Sequence, residues 1–312
     1  MKLYFTIERM DDLKRMAVFA TVVQHGSMTA AARSLGMSPS AVSQHIRQLE
    51  REGGVTLLHR STRQISLTDA GQRFYVQCAT LSAAAERARA ELAAEQQVPS
   101  GELRLAAPVG FAHHTAPALG AWLARFPQLR LRLLLDDVPI DLIQARVDLA
   151  LRFGPQADSN WVARKLASTP NWLCAAPAWI HARGGVPQHP AHLAQDTWLT
   201  LSHRDQHQLA LIWQHLHSGE RFTVQAMPRA LSNHQTAVQA LCEAGLGVAV
   251  LSAMDVTESM QSGRLVQLLP EWDMGLLDIW AVTPQRDAQP AKVRQAIEEL
   301  QAYFATLHGV NP

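Results

Sequence analysis

The sequence is short of the residues that cross-link, span membranes or bind metals. Only three cysteines occur among 312 residues. Cys78, Cys174 and Cys242 lie far apart and form no Cys-x-x-Cys pair, which argues against a disulfide framework or a cysteine zinc site and points to buried, reduced thiols. No run of about 18 apolar residues is present, so neither a membrane-spanning helix nor a membrane partner is expected. The start, with Leu3, Tyr4, Phe5 and Ile7, is too short and too charged for a secretory signal. Residues 1–9 read instead as an upstream start or extension ahead of Met10. There is no Gly-x-Ser-x-Gly elbow, no Walker loop and no His-Glu-x-x-His helix. Gly245-x-Gly247 lacks the third glycine of a dinucleotide fingerprint and reads as a turn. Histidine is the exception to this scarcity, at 14 residues. His203 and His207 have i, i+4 spacing, and His215 and His217 follow. A zinc site needs three or four convergent ligands and usually a carboxylate or cysteine, so no metal is expected. Nor is a cofactor or an enzyme: no convergent nucleophile or acid–base set can be assembled, and Asp136-Asp137 reads as a turn.

Charge is sparse too, at 18% of residues and a net +1, but it is unevenly placed. Residues 1–68 carry 9 Lys and Arg against 5 Asp and Glu, hence +4, while residues 99–312 carry 16 against 18, hence −2. A basic head on a slightly acidic body suits a polyanion at one end only. The length suits two or three domains.

Residues 11–24 show helical periodicity, with Leu13, Met16, Ala17 and Ala20 on one face, widened by Phe19 and Val23. Gly26 breaks the run, and Ser27 caps a short helix over Met28–Leu35. After the turn Gly36-Met37-Ser38, Ser38 serves as N-cap and Pro39 takes the first helical position, where a missing N–H costs nothing. That helix runs to about Arg51 with Val42, Ile46 and Leu49 buried, and Gly53-Gly54 stops it. Runs at Val55–His59 and Gln64–Leu67 flank the basic turn Arg60-Ser61-Thr62-Arg63 and form a hairpin wing. Thr68-Asp69 opens a long helix to about Gln97. Its residues Phe74, Cys78, Leu81, Ala85, Ala88 and Leu92 make a heptad seam for dimerisation. From Gly101 short apolar runs alternate with helical segments, including one over Pro139–Ala145, which implies βαβ units.

Two short helices joined by a tight turn give a geometry for entering the DNA major groove. The exposed start of the second helix offers Ser38, Pro39, Ser40, Ser43, Gln44 and Arg47. Gln can bond adenine bidentately, and Arg can reach guanine or phosphate. Arg60 and Arg63 on the wing suit backbone phosphate or a narrow minor groove.

Residues 13–71 resemble the LysR-type transcriptional regulators. The resemblance rests on Gly26-Ser27-Met28-Thr29-Ala30-Ala31-Ala32, Ser38-Pro39-Ser40-Ala41-Val42-Ser43-Gln44-His45-Ile46, Leu49-Glu50, Leu57-Leu58-His59-Arg60-Ser61-Thr62-Arg63 and Leu67-Thr68-Asp69-Ala70-Gly71. It extends through Gly101-Glu102-Leu103-Arg104-Leu105, Asp148-Leu149-Ala150-Leu151-Arg152 and Gly245-Leu246-Gly247-Val248-Ala249. It implies an α/β chain: a winged helix-turn-helix DNA-binding domain at 10–68, a linker and dimerisation helix at 69–98, and an effector domain at 99–312. The effector domain would resemble a type 2 periplasmic binding protein, with lobe one at 101–171 plus 276–312 and lobe two at 172–275. Two crossover strands would hinge the lobes around a ligand cleft. The partners expected are double-stranded promoter DNA, a small organic and anionic effector, a second copy through the linker helix on the way to a homotetramer, and RNA polymerase. The expected location is the cytoplasm.

Some positions depart from the family pattern. Gly53 stands where Leu is usual, His45 where Gln is frequent, and Leu251-Ser252 replaces Leu-Pro. Pro108-Val109-Gly110-Phe111-Ala112 lacks the usual Ser or Thr, which shifts the ligand contact to backbone N–H groups at a helix start, suited to a carboxylate. The effector contacts expected are Val109, Gly110 and Phe111 at that junction, Arg152 as a carboxylate partner, and Ser202, Ser232 and Asn233 near strand ends of lobe two. His113-His114 lies beside this cleft. The main alternative is an enzyme or solute-binding protein with a fused helical head.

Overall fold

A computed structural model describes residues 7–60, 65–138, 140–156, 161–201, 209–284 and 289–307. The chain divides into two compact units, Met1–Ala94 and Glu95–Pro312.

The first unit opens with α1 (Ile7–His25), α2 (Met28–Leu35) and α3 (Pro39–Gly53). Local chemistry sets each boundary. The Ser27 side chain accepts from the Ala30 N–H at 3.4 Å, and Gly36 closes α2 in the left-handed region at φ 62°. The Ser38 hydroxyl accepts from the Ala41 N–H at 3.2 Å with Pro39 in the first turn. Helix α3 includes Gly53 and is closed by Gly54. A hairpin of β1 (Leu58–Arg60) and β2 (Ile65–Leu67) follows, with Leu58 opposite Leu67, and then α4 (Asp69–Gln97). The core gathers Val18, Phe19, Val22, Ala31, Ala32, Val42, Ile46, Leu49, Leu57, Leu58 and Cys78. The buried face of α1 is thus rotated from the expected one: Leu13 is 37% exposed, whereas Val18 and Val22 are buried.

The second unit begins with β3 (Gly101–Ala107), a 3₁₀ turn at Val109–Phe111, α5 (Ala112–Arg125), β4 (Leu129–Leu135), β5 (Leu149–Phe153) and β6 (Trp161–Ala175). It continues with α6 (Pro177–Arg183), β7 (Trp198–Leu201), β8 (Leu209–His215), β9 (Arg221–Ala226), β10 (Pro228–Ser232) and α7 (Gln235–Glu243). The last elements are β11 (Val248–Ser252), α8 (Ala253–Gln261), β12 (Val266–Leu268), β13 (Trp272–Asp273), β14 (Leu276–Pro284) and α9 (Ala291–Thr306).

The strands order as β10-β7-β11-β6-β14-β5-β3-β4, with β12 added on β6, and β13-β8-β9 form a separate small sheet. Strand β6 belongs to both lobes. Its residues Trp161–Pro170 pair with β14, and Asn171–Ser252 opens its pairing with β11. In lobe one, β3 lies parallel between β4 and β5. Leu103, Leu105, Leu149, Trp122, Ile297 and Phe304 fill the core under α5 and α9. Lobe two packs Trp198, Trp213, Val224 and Val248 in one core and Cys174, Val238 and Cys242 in another. The helix expected over Pro139–Ala145 is absent. Pro139 lies outside the described residues, and the Asp141 carboxylate caps the Ile143 and Gln144 N–H groups of a single turn that ends at Arg146, φ 51°. No described helix is long and apolar enough to cross a membrane.

Candidate functional site

The start of α3 presents the side chains expected to meet DNA. Ser38, Pro39, Ser40, Gln44 and Arg47 are exposed and Ser43 is half-buried, while Val42, Ile46 and Leu49 face the core. Ser38 is committed to its cap and lies 2.9 Å from the Ser40 hydroxyl. His45 faces the other way: burial, then Lys14 and Arg15, lower its pKa, so it is no phosphate-binding cation at neutral pH. The side chain of Arg60, and Arg63 altogether, lie outside the described residues.

A contact that sequence reasoning missed ties the wing to this helix. The Glu50 carboxylate oxygen Oε1 accepts the N–H groups of Leu57 at 2.9 Å and Leu58 at 3.1 Å. Behind the wing, Thr68 caps α4 by accepting the Gly71 N–H at 2.9 Å, and its own N–H donates to the Leu57 carbonyl. Gly71 is required there, since an added Cβ would sit 2.1 Å from the Leu57 oxygen. Motif residues Leu49-Glu50 and Thr68-Asp69-Ala70-Gly71 therefore hold one joint together.

The seam on α4 is divided by its surroundings. Cys78 is 1% exposed within the first unit's core, and Phe74 packs on that core 5.5 Å from Phe19. These two side chains are used inside their own domain, a correction to the seam. Leu81 is half-buried, and Ala85, Ala88 and Leu92 are exposed.

The expected effector contacts lie around the inter-lobe edge of the second unit. Phe111 is 2% exposed in the lobe-one core, and its N–H donates to the Pro108 carbonyl at 3.0 Å, so it offers a ligand neither side chain nor N–H. The Val109 N–H is also taken: it donates at 2.8 Å to Oδ1 of Asp137. The other oxygen of Asp137 accepts from Nδ1 of His234, also at 2.8 Å, so one carboxylate joins lobe one to the start of α7 in lobe two. Ser232 accepts the His234 N–H, and Asn233 is exposed. Arg152 is half-buried on β5, where its backbone lies opposite Trp280; its side chain makes no hydrogen bond or ion pair with a described residue, and burial lowers its pKa. Ser202 lies outside the described residues.

Gly110 also lines a cavity of about 510 Å³ on the helical side of the lobe junction. The buried His114 bridges it, with Nδ1 2.6 Å from the Tyr303 hydroxyl and Nε2 3.0 Å from Asp255. Asp255 in turn accepts from Gln235 at 2.5 Å. Burial and then Asp255 push the Tyr303 phenol up. Burial opposes ionisation of Glu243, yet bonds from Ser259, Gln239 and Arg264 outweigh it and hold the carboxyl below its usual range. His113 is exposed at the rim, and these side chains already satisfy one another.

His215, His217 and Glu271 place their ligand atoms within 4.8 Å of one another. His215 Nδ1 accepts the Ser218 N–H at 3.1 Å, which leaves the ring proton on Nε2, facing Glu271 at 3.4 Å. A metal would have to displace that proton, so the trio reads as a polar surface contact between a neutral imidazole and a carboxylate. His203 and His207 lie outside the described residues. The three cysteines are buried and free.

A winged helix-turn-helix followed by a long helix and a two-lobed α/β unit defines a DNA-binding regulator controlled by a small molecule. The model of the "LysR substrate binding domain" matches residues 96–305, and that of the "Bacterial regulatory helix-turn-helix protein, lysR family" matches residues 13–72. The chain is 37% identical over 294 residues to the HTH-type transcriptional regulator DmlR of Escherichia coli (strain K12), covering 94% of each. It is 34% identical over 301 residues to the HTH-type transcriptional regulator PtxR of Pseudomonas aeruginosa, covering 96% of this chain and 95% of that one. Among solved structures, the full-length Vibrio cholerae virulence activator AphB is similar at TM-score 0.70 and 27% identity, over 93% of this chain and 99% of that one. The chain belongs to the LysR-type transcriptional regulators. It is a DNA-binding transcription regulator, not an enzyme; its kind oligomerises and has its promoter binding modulated by an effector.

Proposed function

We propose that Ser40, Ser43 and Gln44 read base edges, with Arg47, Arg60 and Arg63 on guanine or the phosphate backbone and Ser38 and Pro39 setting the helix start. The single observation that supports this most is the exposed row at the beginning of α3, with its opposite face buried. Domain limits of 10–68, 69–98 and 99–312 suit this division of labour. The α4 helix pairs two copies through Leu81, Ala85, Ala88 and Leu92, and effector domains assemble the pairs into tetramers. Two recognition helices then meet an interrupted inverted repeat in promoter DNA, about one helical turn or a multiple apart. The protein works in the cytoplasm and contacts RNA polymerase there.

The effector is a small organic anion held between lobe one (101–171 plus 276–312) and lobe two (172–275). Gly110, Arg152, Ser202, Ser232 and Asn233 surround it, and Arg152 is the cation left to pair with it. Closure changes the lobe angle and hence the spacing of the DNA heads. Linkage makes this reciprocal, so DNA alters effector affinity by the same factor.

Salt-dependent gel shifts on the intergenic fragment beside the gene test the DNA reading. Gln44→Ala should cost about 1–3 kcal/mol on specific DNA and relax preference at one base pair. Arg63→Ala should weaken all sequences alike and flatten the salt slope. Unchanged promoter affinity in both variants would refute the assignment.

A further inference from the structure

We propose that Asp137 is a tethered stand-in for a ligand carboxylate, so that acidic effectors bind this protein by displacing its own side chain. The inference rests on the cleft reading above and names the group recognised there. Three observations carry it. First, the Asp137 side chain is 8% exposed although it is an acid on the connection from β4 to β5, residues 136–148. Second, its hydrogen bonds are those a bound carboxylate would make: the Val109 N–H at the turn leading into α5 donates to one oxygen, and His234 at the N-cap of α7 donates to the other, each at 2.8 Å. Third, the donors come from different lobes, so the carboxylate holds them together. Helix starts carry unsatisfied N–H groups and partial positive charge, and α5 and α7 both begin here. On one side of Asp137 the chain is anchored, since the Asp136 N–H donates to the Ala107 carbonyl at 3.0 Å; on the other, among the described residues, Val138 bonds only back to the Asp136 carboxylate and its side chain is 51% exposed.

An effector carboxylate that takes this place makes the same bonds, and its remaining atoms must supply the net gain. The site therefore selects for acids, and the tether scales down the affinity of every one of them to the fraction of time that Asp137 leaves the site free. Occupancy of 90–99% corresponds to roughly 10- to 100-fold weaker apparent binding. The exchange also replaces a bridge fixed covalently to lobe one by one carried on a free molecule, which couples occupancy to lobe angle.

Acetate and benzoate, titrated into the full-length protein at constant ionic strength with chloride as the control, test the inference by ligand-observed NMR. Asp137→Ala should bind acetate about tenfold or more tightly than wild type, and adding His234→Ala should abolish the gain. Asp137→Asn, which keeps the side-chain volume and the fold, should show a smaller gain in the same direction. Equal acetate affinity in wild type and both Asp137 variants, or a gain that survives His234→Ala, overturns the proposal. Because DNA is absent from this assay, its outcome is separate from the effector reading. That reading fails instead if no acid alters promoter binding while acetate capture at His234 persists.

Discussion

Replacing Glu50 should separate the fate of the two units. Its Oε1 accepts two N–H groups, from Leu57 at 2.9 Å and Leu58 at 3.1 Å, and those residues are 4% and 2% exposed. Water cannot readily take over if the carboxylate is removed. Hydrogen bonds to a charged group contribute about 1.5–3 kcal/mol each, but one oxygen shared between two donors yields less than the sum. Glu50→Ala should therefore destabilise the first unit by about 2–4 kcal/mol, whereas Glu50→Gln, which keeps a neutral acceptor, should cost about 1 kcal/mol. The sequence supplies the assay. All eight tryptophans lie from Trp122 to Trp280, within the second unit, so tryptophan fluorescence reports on that unit alone. In urea, Glu50→Ala should move an early far-UV circular dichroism transition to lower denaturant and leave the fluorescence midpoint in place. Promoter binding should fall with the circular dichroism signal. A shift below about 0.5 kcal/mol, or an equal shift in both signals, would refute the claim that Glu50 holds the wing.

Leu81→Asp should split the dimer on sedimentation with the first unit still folded, because Leu81 is only half-buried, whereas Cys78→Asp should unfold that unit outright. An unchanged assembly with Leu81→Asp would remove the seam. Burial pushes the Cys78 thiol up to about 11 and Cys242 up to about 12, and it raises Cys174 further still. Aromatic disulfide reagents at pH 8 should accordingly find no reactive thiol in the native protein and three in urea. The folded values exceed the ordinary 9.0, so this contribution to stability is complete below pH 9 and declines as pH rises toward 11, first through Cys78. Rapid native labelling at pH 8 would contradict the burial.

The DNA-binding head was readable because its determinants are local. Ser27, Ser38, Pro39 and the Val42, Ile46, Leu49 stripe act within one or two turns of themselves, and the structure uses each as its type suggests. Strand β6 was hidden by Pro170, which normally argues against an interior strand. Here the proline stands where β6 changes from β14 to β11, so its missing N–H costs little. The seam was over-read because periodicity cannot say whether a heptad residue meets a partner or its own core, as Cys78 does. The polar bridges were beyond reach for a different reason. Asp137 and His234 are 97 residues apart, and His114 lies 189 from Tyr303, so no spacing rule connects them.

The place where β6 changes partners has a consequence for how the gene can be cut. Asn171 donates its N–H to the Gly275 carbonyl at 3.2 Å, and Leu276 lies opposite Pro170. Residues 171–275 thus leave the chain and return to it at neighbouring points, as an inserted module does. A short turn between Pro170 and Leu276 would close lobe one on itself, with β6 and β14 becoming a plain hairpin. What lobe one would lose is Met254, which fills its core from the inserted segment, along with the Asp255 partner of His114. The excision is therefore cleanest as an exchange, in which a foreign module supplies one apolar side chain and one acceptor at that spot and brings its own ligand preference with it.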